Sequence, residues 1–363
     1  MVKKIHLPWR WMLLVLLASL MIVLAGCGQA SAGFYLPGAL PFQGTLVTAN
    51  PNATQTATPF SPLSPTATPD VANPFELTLV PTPTSIDPWG NFTPPREPSA
   101  IEIRRPMDPI DQSDNTVNIL LMGSDQRPYE YGHRTDVMML VSLNSDTGAV
   151  TLLSFPRDLY VFIPGWRVDR INVADAYGGP EMVAETILYN FGLEVDFWAR
   201  INFTGFMTAV NLLGGIDVQV TGTLFDECGG VHYAYRPGTY HMDGMTALCY
   251  VRMRKTSSDF DRLRRQQEVI TAIFKRILTL DGLSRVPDLY RQFSNLIQTN
   301  MELDDVLLFI PLARQLASDD SRIKRLAIDP TMASGWRVPY SGAAVLLPDW
   351  EKIEAMLRVN LEE

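Results

Sequence analysis

Between Tyr250 and Gln267 the chain concentrates Arg252, Arg254, Lys255, Arg262, Arg264 and Arg265. The protein as a whole is acidic, with 39 Asp+Glu against 30 Lys+Arg and a formal net charge of -9. A basic cluster in an acidic chain needs a local reason. Arginine grips phosphate oxygens with a planar, two-pronged donor set and keeps its charge, so the cluster points to an anionic ligand, first a phosphate ester. Arg262, Arg265 and Gln266 are spaced to share one face of a helix. Arg252 and Arg254 alternate, so in an extended segment both point to one side. Arg264 points elsewhere and, with Lys255, reads as a solvated charge. The plain alternative is a solvent-facing charged helix. It is weakened by the scarcity of acidic partners in the block, which holds Asp259, Asp261 and Glu268.

Three further charged clusters each follow or open an apolar run. Gly123-Ser124-Asp125-Gln126-Arg127 comes straight after one, where loops at strand ends bind ligands and glycine permits close approach. Arg134-Thr135-Asp136 opens the next. Asp125 and Asp136 could share a Mg²⁺ with phosphate oxygens and waters, since that ion takes oxygen ligands in an octahedron. The alternative is a turn aspartate and a surface ion pair with Arg134. Arg157 follows a third apolar run in Pro156-Arg157-Asp158, positioned to contact phosphate with Asp158 orienting it, or to form an exposed ion pair. P-loop, zinc-ligand and Gly-x-Ser-x-Gly signatures are absent. His133, His232 and His241 show no ligand spacing.

The elements that must position these groups alternate in type. Val117–Met122 predicts a buried strand. Asp136–Leu143 and Ala149–Phe155 predict a hairpin around the turn 144–148. Pro180–Asn190 predicts a helix ending at Gly192, followed by a strand at Phe197–Ile201. A helix over Phe203–Leu213 stops at Gly214-Gly215, before a strand at Ile216–Val220. Asp243 caps a helix running towards Arg252, and Asp259–Leu280 forms a long helix. Helices at Asp288–Gln298, Asp304–Ala317 and Trp350–Val359, with a strand at Ile323–Ile328, complete the pattern. The expectation is an α/β fold with a central mixed β-sheet flanked by helices.

The N-terminus reads as an export signal over residues 1–26. Lys3, Lys4 and Arg10 precede an apolar run from Trp11 to Val23, shorter than the roughly 20 residues of a membrane span. Leu24-Ala25-Gly26-Cys27 matches a bacterial lipobox, with Cys27 as the lipidated residue; the alternative is an uncleaved anchor helix. Either reading puts the rest of the chain outside the cytoplasm. Residues 27–112 carry Pro/Thr/Ser tracts, such as ATQTATPFSPLSPTATPD over 53–70. They have little apolar surface to bury and predict a disordered spacer or a glycosylated stalk. The ordered domain is then 113–363. Setting Cys27 aside leaves Cys228 and Cys249. An even remainder in an exported chain suggests a disulfide, the alternative being two unrelated buried thiols. The acidic balance argues against nucleic acid as a partner.

In order along the chain, NILLMGSDQR (118–127), RTDVMML (134–140), LLSFPRDLYV (152–161) and RINVADAYGGP (170–180) resemble the LytR-CpsA-Psr family of cell-envelope phosphotransferases. INFTGFMTAVNLLGGIDVQV (201–220) and MDGMTALCYVRMRKTSSDFDRLRRQQ (242–267) extend the likeness. It is firmest over 117–280 and weaker over 281–363. The resemblance implies a deep apolar pocket for a polyprenyl chain. It also implies transfer of a glycopolymer from a polyprenyl-pyrophosphate carrier to peptidoglycan through a phosphodiester. It casts Asp125 and Asp136 as Mg²⁺-associated carboxylates in a catalytic group with Arg127 and Arg134. Arg157, Arg252, Arg254, Arg262, Arg265 and Gln266 become the pyrophosphate-binding set. The site would equally serve a pyrophosphatase that releases lipid carrier, or a non-catalytic carrier-binding lipoprotein. Asp261 stands where the family usually has glycine, beside Arg262, which it would either weaken or pair with. Asn172 lies in a family motif without an assigned role.

Overall fold

The computed structural model describes residues 92–125, 134–254, 258–279, 286–318 and 320–362. The lipobox Cys27, Arg127, His133 and Lys255 lie outside them, as do residues 1–91 of the export signal and spacer. All described residues belong to the compact unit Phe75–Glu363.

The strands are β1 (Thr116–Ser124), β2 (Thr135–Asn144), β3 (Ala149–Ser154), β4 (Tyr160–Phe162), β5 (Val168–Arg170), β6 (Phe197–Asn202) and β7 (Ile216–Val220). They continue as β8 (Leu224–Cys228), β9 (Val231–Tyr235), β10 (Gly238–Met242), β11 (Ile297–Thr299), β12 (Ile323–Ala327), β13 (Ala333–Arg337) and β14 (Ala344–Pro348). The helices are α1 (Ala174–Phe191), α2 (Phe203–Leu212), α3 (Gly244–Arg252), α4 (Asp259–Thr279), α5 (Val286–Phe293), α6 (Leu303–Leu308), α7 (Ile310–Ser318) and α8 (Trp350–Leu361).

Six strands form one mixed sheet in the order β11-β6-β1-β2-β3-β12. β1–β2 and β2–β3 are antiparallel, while β6 and β12 run parallel to β1 and β3. Side chains alternate across the pleat, so each strand feeds two layers. Leu120, Met122, Met138, Leu140 and Leu153 face α1 and α8 through Ile187, Phe191, Ile353 and Leu357. The other face presents Met139, Val150 and Leu152 to α4 and α7 through Ile270, Phe274 and Leu312. Beyond it a second core packs α2, α3 and α4 against the β7–β10 ribbon through Val210, Val218, Met242, Leu248 and Val269.

The expected caps are present. Asp243 accepts the Thr246 N–H at the start of α3. Gly192 closes α1 with φ 64°, a left-handed conformation that glycine tolerates. α1 begins earlier than Pro180: a first turn from Ala174 ends at Gly179 (φ 75°), and Pro180 restarts the helix.

Several elements differ from the sequence expectation. Residues 92–112, assigned to the spacer, are part of the domain. Met107 and Ile110 are 3% and 6% exposed in the main core, and their amides bond Tyr189 O and Gly192 O. Thr93 O and Trp166 O accept from Gly165 and Arg96. The segment has five prolines and neither helical nor strand period, so its order comes from pairing with distant backbone. The sequence pattern does not predict the strands β4, β5, β8, β9, β10, β13 and β14, because short two-stranded ribbons alternate only weakly. Asp288–Gln298 is helical only as α5 and continues into β11. Asp304–Ala317 splits into α6 and α7 at Phe309, just before Pro311.

Cys228 at the end of β8 and Cys249 in α3 form a disulfide with a Cα–Cα distance of 5.7 Å, a normal span. It closes a loop of sequence separation 21. Replacing both by serine is expected to cost about 3 kcal/mol through the freed unfolded chain. Urea unfolding of the oxidised protein and the double variant checks this; equal midpoints would contradict it.

Candidate active site

β1, β3 and β6 end, and β2 begins, at one edge of the sheet. There a cavity of about 720 Å³ opens between the sheet and the helices α2, α3 and α4. Leu121, Val137, Met139, Ala199 and Ile201 form its sheet wall. Phe206, Val210 and Leu213 from α2 and Leu248 and Val251 from α3 form another. α4 contributes Arg262 and Gln266, then Val269, Ile270, Ile273, Phe274 and Ile277. That stripe follows the helical period from Arg262 to Ile277, about 22 Å at roughly 1.5 Å rise per residue. Its polar members come first and its apolar members follow, so the cavity has a charged mouth and an apolar interior.

Among the described lining residues, the charged ones are Arg157, Arg252, Arg254, Arg262 and Asp136. Four cations against one carboxylate make the mouth electropositive in an acidic protein, an arrangement that concentrates anionic ligands. Arg157 Nη1 donates to Asp136 Oδ1 at 2.8 Å and its Nε to Asp158 Oδ2 at 3.3 Å. The expected orienting role of Asp158 is therefore shared with Asp136. The Arg252 guanidinium sits 4.6 Å from the centroid of Phe203. Arg262 and Gln266 are 3% and 4% exposed.

Two expectations about the arginines change. Arg252 is the last residue of α3, and Met253 turns the backbone out (ψ 141°) before Arg254. The two share the mouth because of a helix end, not because of strand alternation. Arg265 is absent from the cavity lining. It is 1% exposed and donates to the backbone oxygens of Tyr250 and Met253 at 3.1 and 2.5 Å. Buried surroundings lower its pKa. One helix face thus meets two environments, the cavity and the backbone of α3, which spacing alone does not separate. Arg264 is a surface charge as expected, 2.9 Å from Glu268.

Asp125 lies one residue past β1. Its Oδ1 accepts the Arg134 N–H at 2.6 Å, and its own N–H donates to Arg134 O at 3.0 Å. This locks the end of β1 to the start of β2, where the register shifts between Gly123 and Ser124. Asp125 and Arg134 are not lining residues of the cavity, whereas Asp136 is. Asp261 accepts from the Ser258 N–H and hydroxyl, which holds its carboxyl below the usual range. Its nearest cation is Arg264 at 3.7 Å, not Arg262. Sequence reasoning missed Asp175: its side chain is fully buried, accepts the Thr135 hydroxyl at 2.7 Å and pairs with Arg200 at 2.6 Å. That network supports β2 from behind Asp136, and a lone Asp in a helix start gives no sequence signal for it. Asn172 is 2% exposed beside Arg157, whose carbonyl accepts its N–H at 3.3 Å.

The profile of the LytR_cpsA_psr family matches residues 95–357. The chain is 34% identical over 198 residues to the polyisoprenyl-teichoic acid–peptidoglycan teichoic acid transferase TagU of Oceanobacillus iheyensis, covering 52% of this chain and 60% of that protein. It is 33% identical over 223 residues to the corresponding transferase TagT of Bacillus subtilis, covering 58% and 68%. The crystal structure of B. subtilis TagV superposes with a TM-score of 0.58 at 26% identity, over 69% of this chain and 98% of that one. A structure described as TagT bound to LI-WTA superposes with 0.53 at 26% identity, over 68% and 91%. The family match begins at the packed segment around Arg96 and ends in α8, so it takes in the whole sheet, the cavity and its charged mouth: the chain belongs to the LytR_cpsA_psr family.

Proposed function

We propose that this protein transfers a glycopolymer from a polyprenyl-pyrophosphate carrier to peptidoglycan through a phosphodiester. The observation that carries the proposal is the cavity itself, long and apolar with arginines at one end. A lipid pyrophosphate has the same two parts, an isoprenoid chain that gains by leaving water and a multiply charged head. The names of the two transferases and the ligand described for TagT support the same substrate class.

The apolar stripe from Val269 to Ile277 takes the prenyl chain. Arg252, Arg254, Arg262 and Gln266 hold pyrophosphate oxygens, and Arg157, oriented by Asp136, approaches the transferred phosphoryl group. A sugar hydroxyl oxygen bonds to the phosphorus that carries the polymer. The bond from that phosphorus to the bridging oxygen breaks, and polyprenyl monophosphate leaves. Asp125, oriented by the Arg134 amide, accepts the hydroxyl proton. Such a transfer asks chiefly for positioning and for charge stabilisation on oxygen, which fixed arginines supply.

A Mg²⁺ fits the donor set. Asp125 and Asp136 flank the β1–β2 register shift, and each has one oxygen engaged by an N–H donor; a cation would take the other oxygen of Asp136 and share the other oxygen of Asp125 with the incoming hydroxyl. Among the described residues no group of three or more His, Cys, Asp or Glu forms a protein-only cage, so phosphate oxygens and water would complete the shell. Bound there, the ion would offset phosphate charge. The N-terminal lipobox at Cys27 would tether the domain to the outer face of the cell membrane, where its carrier substrate resides.

The test is product analysis with a lipid-linked glycopolymer, with and without peptidoglycan. Polymer phosphodiester-linked to peptidoglycan, with polyprenyl monophosphate released only when acceptor is present, is the expected result. Equal release without acceptor would assign the site to hydrolysis, and no release in either arm would remove the proposal. A companion variant probes the cavity. Ala199→Trp puts an indole into the apolar interior and is expected to raise KM for the lipid substrate about tenfold, equivalent to ~1.4 kcal/mol of lost burial. An unchanged KM would place the lipid elsewhere.

A further inference from the structure

α3 ends without the glycine that commonly closes a helix: its C-cap is Met253, with φ −57° and ψ 141°. A helix end leaves carbonyls in need of donors, and cations are favoured there. Arg265, on the next helix, meets that need. Its guanidinium bonds Tyr250 O and Met253 O, one before and one after Arg252. Three residues on, Glu268 takes the Tyr250 hydroxyl at 2.6 Å, so α4 grips the last turn of α3 twice. The opposite side of the same turn is held by the β8–β9 hairpin. Asp226 Oδ2 accepts the Arg254 N–H at 2.5 Å, and the Cys228–Cys249 bridge ties the hairpin to α3.

We propose that Arg265 and Asp226 are positioning residues: they fix the turn Arg252–Arg254 from two sides and thereby aim two cavity arginines at one anion. This deepens the functional proposal above and rests on it for the identity of the anion. The two bonded oxygens of Arg265 belong to residues three apart, and a planar fork reaches both. A lysine ammonium is a single point of charge and reaches one of them well. Arg265 therefore acts by holding backbone in place with or without ligand, whereas a phosphate-binding arginine acts by touching the ligand.

That difference sets the experiment. Hydrogen exchange of ligand-free protein is compared for wild type, Arg265→Lys and Asp226→Ala, with amides of β1 and β2 as internal reference. Exchange across 250–254 is expected to rise about tenfold or more in both variants while the sheet stays protected. Affinity for geranylgeranyl pyrophosphate is then expected to fall about tenfold in Arg265→Lys and in Arg265→Met alike. Lysine that restores wild-type affinity overturns the proposal by making Arg265 a charge ligand. Unchanged exchange across 250–254 overturns it whatever the protein binds. If Arg265→Lys loses sheet protection as well, Asp226→Ala alone decides, on the same two outcomes. Failure of wild type to bind the pyrophosphate would remove the functional reading and leave the exchange result to judge the clamp.

Discussion

Replacing Arg252 by alanine is expected to abolish attachment of glycopolymer to the wall, with kcat/KM lower by about a hundredfold or more. Arg252 lines the mouth and ends α3, and its guanidinium lies over Phe203 rather than in a carboxylate pair. Removing it takes one of four lining cations from the site proposed to offset phosphate charge. The residue itself is exposed, so the fold loses little, and a well-expressed variant isolates the chemical effect. Wall-linked polymer phosphate in cells and turnover of purified protein measure it. Arg264→Ala is the informative contrast, because Arg264 pairs with Glu268 outside the cavity and its loss leaves turnover near normal. Normal attachment by Arg252→Ala would sink the assigned mouth.

The second large effect is expected from Asp136→Asn. The substitution removes the only carboxylate among the described lining residues, releases Arg157 from its 2.8 Å ion pair and removes half of the proposed Mg²⁺ donor charge. These losses act on one transition state, so kcat falls by roughly a hundred- to a thousandfold. A Mg²⁺ titration separates them. Loss of cation binding shifts the titration to higher concentration, whereas misplacement of Arg157 alone lowers the plateau at an unchanged midpoint. An Asn variant with wild-type turnover would remove Asp136 from the reaction altogether.

Much of the site was legible as chemistry before it was legible as shape. The arginine block, the two aspartates beside apolar runs and Arg157 were all marked by residue type and by their place at strand ends. β1, β2, β3 and α4 were marked by their hydrophobic period. Other features escaped for physical reasons. Met107 and Ile110 are buried in a proline-rich stretch whose backbone partners lie some eighty residues away, beyond the reach of any local pattern. The ribbons β8–β9 and β13–β14 are too short to alternate clearly. Asp175 has the same sequence appearance as a helix-start residue on the surface, yet its carboxylate is enclosed with Arg200 and Thr135.

By itself the sequence determined the charge character of the candidate site, the α/β layering and the family resemblance, because residue chemistry and hydrophobic period are properties of the chain. Tertiary structure alone decided which charges face the cavity. Arg262 and Arg265 share one helix face, but α3 packs across α4 so that one meets the cavity and the other meets two carbonyls. The outcome depends on where a neighbouring helix ends, and that is set by packing between segments distant in sequence.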